Sequence, residues 1–236
     1  MATGSLAALR GTHTGSLAPE AGPTSQTEQS MVKQERAART REALIRSAAE
    51  TFDREGFTVA SLTTISSLAG VSNGALHFHF ASKVALADAV QEAALARLLD
   101  IVHVERPAGG GRVQLLVDVT HALAAALRRD VVLRAGFRLS DEASRQSRVD
   151  LRERWRLWVY GVLEQAGAEG ELRPEVAAQG VGSTVVAATV GFEVLAVRDD
   201  EWLSASNVTR FWHLLLPTLV PVALLADLEA DGIRSR

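Results

Sequence analysis

The chain has 236 residues, 47% of them hydrophobic, and its 25 basic and 28 acidic residues leave a formal net charge of −3. This length allows one large domain or two small ones with real cores. The absence of cysteine excludes disulfides and thiolate metal sites and fits a cytoplasmic protein. No apolar run approaches the roughly 20 residues of a membrane-spanning helix, so we expect no membrane contact.

The first 32 residues differ in composition from the rest of the chain. Gly, Ser, Thr, Ala and Pro dominate residues 1–32. They lack the basic and apolar regions of a secretory signal. We therefore expect a disordered tail or an upstream-start extension.

Residues 33–82 carry the pattern of a three-helix, helix-turn-helix domain. In residues 34–57 apolar side chains recur at helical spacing, and Gly56 stands where a glycine ends a helix. Two short helices follow, with Ser61 and Ser72 as their N-caps and Gly70 between them. Five basic residues face two acidic ones in residues 33–46, which favours a polyanionic partner.

Residues 83–232 predict a larger helical body. A long amphipathic helix starts at Lys83 and ends before Pro107, and further helical segments follow, with Pro174 near the start of one of them. The sequence predicts nine or ten helices and no strands, hence an all-α fold. Residues 175–197 and 207–230 are very apolar, so we expect them to form a subunit interface.

Two histidines in "AGVSNGALHFHFASK" (69–83) leave three alternatives open. As metal ligands, His77 and His79 are badly placed, because residues i and i+2 face different sides of a helix. As core residues they would need hydrogen-bond partners, and Leu76, Phe78 and Phe80 already supply apolar anchors. As exposed residues of a recognition helix they would meet phosphates or base edges.

The segment "SLTTISSLAGVSNGALHFHFASK" closely resembles the helix-turn-helix signature of the TetR family of repressors. Its "FHF" form is most similar to the γ-butyrolactone autoregulator receptors of actinomycetes. The segment "VVLRAGFRLS" (131–140) and the "RW" at 154–155 resemble further segments of that subgroup. The resemblance runs from about residue 33 to residue 230. It implies a homodimer with a DNA-binding head (33–82) and a ligand-binding and dimerisation body (83–232).

Three departures from the family pattern concern the head. Asn73 replaces the lysine before the glycine of the turn, and His77 replaces the tyrosine before "FHF". Val84 and Ala85 replace acidic residues, so the Ser82 cap lacks a capping-box partner. In the body, a threonine expected in the pocket of some receptors aligns near Ala188, with Thr189 beside it.

By the resemblance, the recognition helix (about 72–78) enters the major groove of pseudo-palindromic operator DNA. We expect phosphate contacts from one set of residues: Ser61, Thr63, Thr64, His77 and Lys83. Base contacts are expected within the recognition helix, where Asn73 is suited to adenine, and the set is Ser72, Asn73, Gly74, Ala75 and His79.

The resemblance also implies a mostly apolar ligand pocket in the body, and Trp155 is the leading candidate to line it. Candidate neighbours are Phe137, Trp158, Thr189 and Phe192, with Gln114 or Tyr160 as polar anchors. Ordinary core packing is the alternative for each. No cofactor or metal is implied, and the sequence lacks the nucleophile-elbow, Walker and zinc-protease motifs of enzymes.

The expected function is a repressor of secondary-metabolite genes, such as antibiotic biosynthesis genes, that a small γ-butyrolactone, butenolide or furan signal releases from DNA. The alternative is a pseudo-receptor or an efflux-type regulator that responds to an antibiotic or another apolar ligand.

Overall fold

A computed structural model describes residues 23–103, 111–140 and 149–233, which are helical without strands. Ten α-helices follow one another, with a 3₁₀ helix, Asp200–Leu203, between the eighth and the ninth. Their bounds, from α1 to α10, are Pro23–Glu55, Leu62–Leu68, Asn73–His79, Lys83–Val102, Arg112–Arg129, Val131–Ser140, Leu151–Ala168, Ala178–Leu195, Ala205–Leu219 and Val222–Leu225. The predicted all-α fold is confirmed.

The first helix begins earlier than the sequence predicted. It starts at Pro23, so residues 23–32, which we assigned to a disordered tail or an upstream-start extension, are helical. Proline suits a helix start because its missing N–H is not needed there. Residues 1–22 lie outside the described residues. The described part of the chain divides between residues 39 and 40, and the head–body boundary at residue 82 remains a prediction.

The turns of the head follow local chemistry that the sequence predicted. Gly56 directly follows α1 and Gly70 follows the C-cap residue of α2, and they adopt φ values of 80° and 69°, which favour glycine. Ser61 and Ser72 cap α2 and α3, and their hydroxyls accept from the backbone N–H groups of Thr64 and Ala75. These caps fix where α2 and α3 begin, and the two helices form a helix-turn-helix pair.

The body is built around two helix pairs, α4 with α6 and α7 with α8. Where α4 crosses α6, a Cβ added to Gly136 would lie only 2.2 Å from the Cβ of Ala94. Glycine is therefore required for this close approach. Buried Leu, Val and Ala side chains fill the spaces between the helices.

Prolines in the C-terminal part act differently from the prediction. Pro174 lies in a turn before α8 rather than in the first turn of a helix. Pro217 lies inside α9, near its end, and Pro221 caps the short α10. The helix therefore continues through Pro217, and the final helix is much shorter than the apolar pattern indicated.

By length and composition alone, α8 is apolar enough to cross a membrane. The sequence shows no continuous apolar run here, because Gln, Ser and Thr interrupt it. Core helices of globular proteins also pass this criterion. Only 28% of the segment is buried, and its exposed positions are mostly small or polar residues, with Val194 and Leu195 as the exposed large apolar side chains at its end.

Candidate DNA-binding surface and ligand site

The start of α2 and most of α3 form an exposed polar surface. The predicted contact residues exposed on it are Ser61, Thr63, Thr64, Ser72, Asn73, Gly74 and His77. Ala75 and His79 are partly buried. Most of the predicted set is therefore on one helix-turn-helix unit and open to a large partner.

Asn73 connects α3 to α2 through both ends of its amide. Its Oδ1 accepts from the Ser66 hydroxyl at 2.9 Å, and its Nδ2 donates to the Thr63 hydroxyl at 3.4 Å. A bidentate contact to adenine needs the same two atoms. In this structure Asn73 therefore holds the angle between the two helices instead of being free for a base.

Lys83 is turned towards the protein and away from the predicted phosphate contact. Its Nζ donates to the carbonyls of Phe57, Thr58 and Ala60 at 2.8, 3.1 and 3.0 Å. It also lies 4.7 Å from the centroid of the Phe57 ring. An ammonium group has three donors, so the predicted phosphate role is at odds with the structure. Lys83 instead ties α4 to the α1–α2 loop.

Phe78 is not the apolar anchor that the sequence indicated. Leu76 is fully buried and Phe80 is 4% exposed, but Phe78 is 83% exposed. Its ring stands edge-on to His79, with centroids 5.3 Å apart. It was missed as a contact candidate because the three apolar residues look alike in sequence, although the helical spacing of residues 76 and 80 sets Phe78 apart.

This surface carries no formal charge. Residues 56–82 contain no Asp, Glu, Lys or Arg, and Lys83 is turned inward. The groups available for phosphates are therefore hydroxyls, imidazoles and backbone N–H groups at helix starts.

In the body, Trp155 and Thr189 are joined directly. Trp155 is buried on α7, and its Nε1 donates to the Thr189 hydroxyl on α8 at 2.8 Å. That hydroxyl in turn donates to the Val185 carbonyl at 2.8 Å. Trp158 stacks on Trp155 with ring centroids 5.2 Å apart. Three of the predicted pocket residues are thus brought together.

Phe192 belongs to a neighbouring aromatic group that the sequence analysis did not include. Its ring stacks on Trp202 and meets Phe211 edge-on, and Phe211 contacts Trp212. Trp212 is completely buried, and no acceptor for its Nε1 lies among the described residues. A buried N–H without a partner is costly, so Trp212 is a further candidate ligand contact. Phe137 is buried on α6.

Gln114 and Tyr160 are engaged away from these aromatic groups. Gln114 exchanges hydrogen bonds with both the N–H and the carbonyl of Glu229, so it holds the C-terminal segment on α5. The Tyr160 hydroxyl lies 2.8 Å from the Ser183 hydroxyl at the surface. The role of either residue as a polar anchor of a pocket therefore stays a prediction.

One ion pair joins α7 to α8, and another lies within α7 on its outer face. Arg152 donates to Glu193 at 2.7 Å, and the Glu193 side chain is only 4% exposed. On the outer face, the hydrogen bond from Arg156 lowers the pKa of Glu153 below its usual range. No group of three or more His, Asp or Glu side chains in the described ranges is arranged to hold a metal ion.

Comparisons with known proteins agree with this architecture. Residues 44–90 match the model of the bacterial regulatory proteins of the tetR family. The A-factor receptor protein of Streptomyces griseus is 30% identical over 206 residues, which cover 86% of this chain and 71% of that protein.

Two solved structures are also similar to this chain. One is a γ-butyrolactone receptor described as ArpA-like (29% identity, TM-score 0.70), and the match covers 81% of this chain and 94% of that one. The other is the TetR family protein CprB of Streptomyces coelicolor in complex with its operator (28% identity, TM-score 0.67, with the same two coverages). The predicted family is confirmed, and it is one of regulators rather than enzymes: this chain belongs to the TetR family of bacterial regulatory proteins.

Proposed function

We propose that this chain is a ligand-responsive transcriptional repressor of secondary-metabolite genes. It binds pseudo-palindromic operator DNA as a homodimer, and a small signal of the γ-butyrolactone, butenolide or furan type releases it. The observation that carries the proposal is the presence, in one chain, of an exposed helix-turn-helix unit and a buried Trp155–Thr189 pair. The A-factor and γ-butyrolactone receptors among its relatives support the same function.

The DNA contacts follow from the exposed surface of α2 and α3. Ser61, Thr63, Thr64 and His77 contact phosphates, together with backbone N–H groups at the helix starts. Ser72, Gly74, Ala75 and His79 face the bases, and Phe78 adds an apolar contact. Asn73 and Lys83 act indirectly, because their hydrogen bonds hold α3 and α4 in place.

The ligand binds among the aromatic side chains of α7, α8 and α9. Trp155 and Trp158 offer stacked apolar surface, and the N–H of Trp212 is available to a ligand oxygen. A lactone or furan with an apolar side chain matches this chemistry, because it combines a small polar ring with a hydrocarbon chain.

Two subunits associate through α8 and α9. Val194, Leu195 and Leu214 are 47%, 45% and 79% exposed on these helices, and such apolar surface is normally covered in a stable assembly. The site of action is the cytoplasm, where the DNA is.

Release requires that the ligand favours an arrangement of the body in which the two recognition helices no longer match their half-sites, about 34 Å or more apart. A shift from a 1:99 to a 99:1 population needs about 5.5 kcal/mol of differential affinity. Burial of a small apolar ligand supplies free energy of this order.

A gel shift of the purified protein on the DNA upstream of its own gene tests the proposal. Extracts that contain butyrolactones, butenolides or furans are added, and a variant with Ser72→Ala and His77→Ala serves as the control for DNA contact. A shift that an extract abolishes supports the repressor. A shift that no such extract disturbs but an antibiotic does would replace it with the pseudo-receptor. A folded dimer that shifts no DNA would refute the proposal.

A further inference from the structure

Asp53, Arg134 and Arg138 form a charged cluster between α1 and α6, here called the Asp53 cluster. Arg134 places Nε and Nη2 each 3.0 Å from Oδ2 of Asp53. Arg138 places Nε 3.3 Å from Oδ1 and also donates to the backbone carbonyl of Asp53. The Asp53 side chain is only 17% exposed. One carboxylate thus holds two guanidinium groups at the end of α1.

The two arginines of α6 and the aspartate of α1 are each in an unfavourable electrostatic environment unless they are paired. Arg134 and Arg138 are one turn apart on α6, and like charges at this spacing repel each other. Asp53 lies in the last turn of α1, where the helix dipole disfavours an acidic side chain. The contact therefore defines one relative position of α1 and α6, since displacement leaves uncompensated charge on both helices.

The same short helix α6 contacts three further helices of the body. Gly136 meets Ala94 of α4 at their crossing. Arg134 also donates to the Leu127 carbonyl at the end of α5, at 2.8 Å. The Ser140 hydroxyl accepts from the N–H of Leu151, the first residue of α7, at 3.1 Å. Trp155 follows one turn later on α7.

We infer that Asp53 is a positioning residue that fixes the DNA-binding head on the body through α6. Leu44, Ala48 and Phe52 of α1 are buried in one hydrophobic cluster that includes Ile65 of α2 and Leu76 of α3, so a change in the angle of α1 carries α2 and α3 with it. A displacement of α6 by an event at α7 is passed to α1 through the Asp53 cluster. This regulatory role rests on the proposed function, whereas the positioning itself is a property of the protein alone.

Distance measurement within one subunit tests the inference without DNA or ligand. The chain has no cysteine, so spin labels attach only to introduced ones. Exposed Ser67 on α2 and exposed Gln165 on α7 are replaced by cysteine. Dilution with unlabelled protein leaves only the distance within one chain, whatever the oligomeric state.

Asp53→Asn keeps the shape of the side chain but removes its charge, and Arg138→Gln breaks the cluster from the other side. Glu50→Gln is the matched control, because Glu50 lies on the same helix, pairs with Arg46 within α1 and loses the same charge. We expect one narrow distance in the wild type and the control. Both cluster variants should show a shifted or broadened distribution, and the double variant should be no worse than either single one.

Unchanged distances in both folded cluster variants would overturn the inference, as would loss of the fold in both, since the cluster would then serve only stability. For the regulatory role, Asp53→Asn should change the loss of operator affinity caused by a synthetic γ-butyrolactone by roughly 2- to 30-fold. Unchanged distances would refute the positioning role of Asp53 but not the proposed repressor function. Absence of DNA binding would refute the repressor function but not the positioning role.

Discussion

At the residue scale, Lys83 has a different role from the one its sequence position indicates. Its three hydrogen bonds go to carbonyls of the α1–α2 loop, so we expect Lys83→Gln to lower the free energy of unfolding by about 2 kcal/mol. The salt dependence of DNA binding should stay the same, because no phosphate contact is lost. A phosphate contact would instead reduce the slope of log K against log salt by about 0.9. Denaturant titration and DNA titrations at several salt concentrations measure both quantities.

The hydroxyl of Thr189 is the acceptor for the buried N–H of Trp155. Thr189→Val should therefore lower the free energy of unfolding by about 1–3 kcal/mol, since the indole N–H is left without a partner. In a Trp155→Phe background, which has no N–H, the same substitution should cost much less. Equal costs in the two backgrounds would show that the hydrogen bond contributes little. Chemical denaturation of the four proteins completes the cycle.

The hydrogen-bond partners of several side chains could not be predicted from local sequence patterns. Ser61, Ser72 and Gly70 were predicted correctly because caps and turns depend on neighbours within a few residues. Gln114 bonds to a segment 115 residues away, and such a partner leaves no trace in helical periodicity. Asn73 and Lys83 have the residue types of DNA contacts, and only the packing of α2, α3 and α4 shows their internal bonds.

At the element scale, the crossing of α4 and α6 depends on the missing side chain of Gly136. Gly136→Ala forces a methyl group against Ala94, which is only 2.2 Å from the Cβ position. We expect a loss of about 1–3 kcal/mol in the free energy of unfolding, as for other overpacked cores. Ala94→Gly in the same chain should restore part of it. A double variant as unstable as Gly136→Ala alone would contradict this account of the crossing. Thermal unfolding followed by circular dichroism compares the variants.

Helix ends and helix lengths were less predictable than helix positions. The predicted boundary after residue 32 came from composition, yet α1 extends back to Pro23, because polar residues tolerate a helix that neighbouring turns have already nucleated. Pro217 lies near the end of α9, where a proline removes few backbone hydrogen bonds, so the helix continues through it. The positions of α2 and α3 were predicted correctly because each helix begins at a specific cap residue.

At the scale of the whole molecule, the exposed apolar surface of α8 and α9 should join two subunits. Leu214→Glu places a charge on a side chain that is 79% exposed in one chain and should shift the dimer to monomers without loss of helical content. Leu157→Glu, on α7 outside the expected interface and 50% exposed, is the matched control. Sedimentation velocity measures the assembly state. A Leu214→Glu variant that remains dimeric would place the interface elsewhere.

In the proposed repressor, a ligand site in the body controls DNA binding by the head. The most direct test is to measure the affinity for operator DNA with and without a saturating synthetic γ-butyrolactone, and the affinity for that lactone with and without DNA. Both affinities should fall by the same factor, because coupling between two sites is reciprocal. DNA affinity that stays constant while the lactone is bound would contradict it.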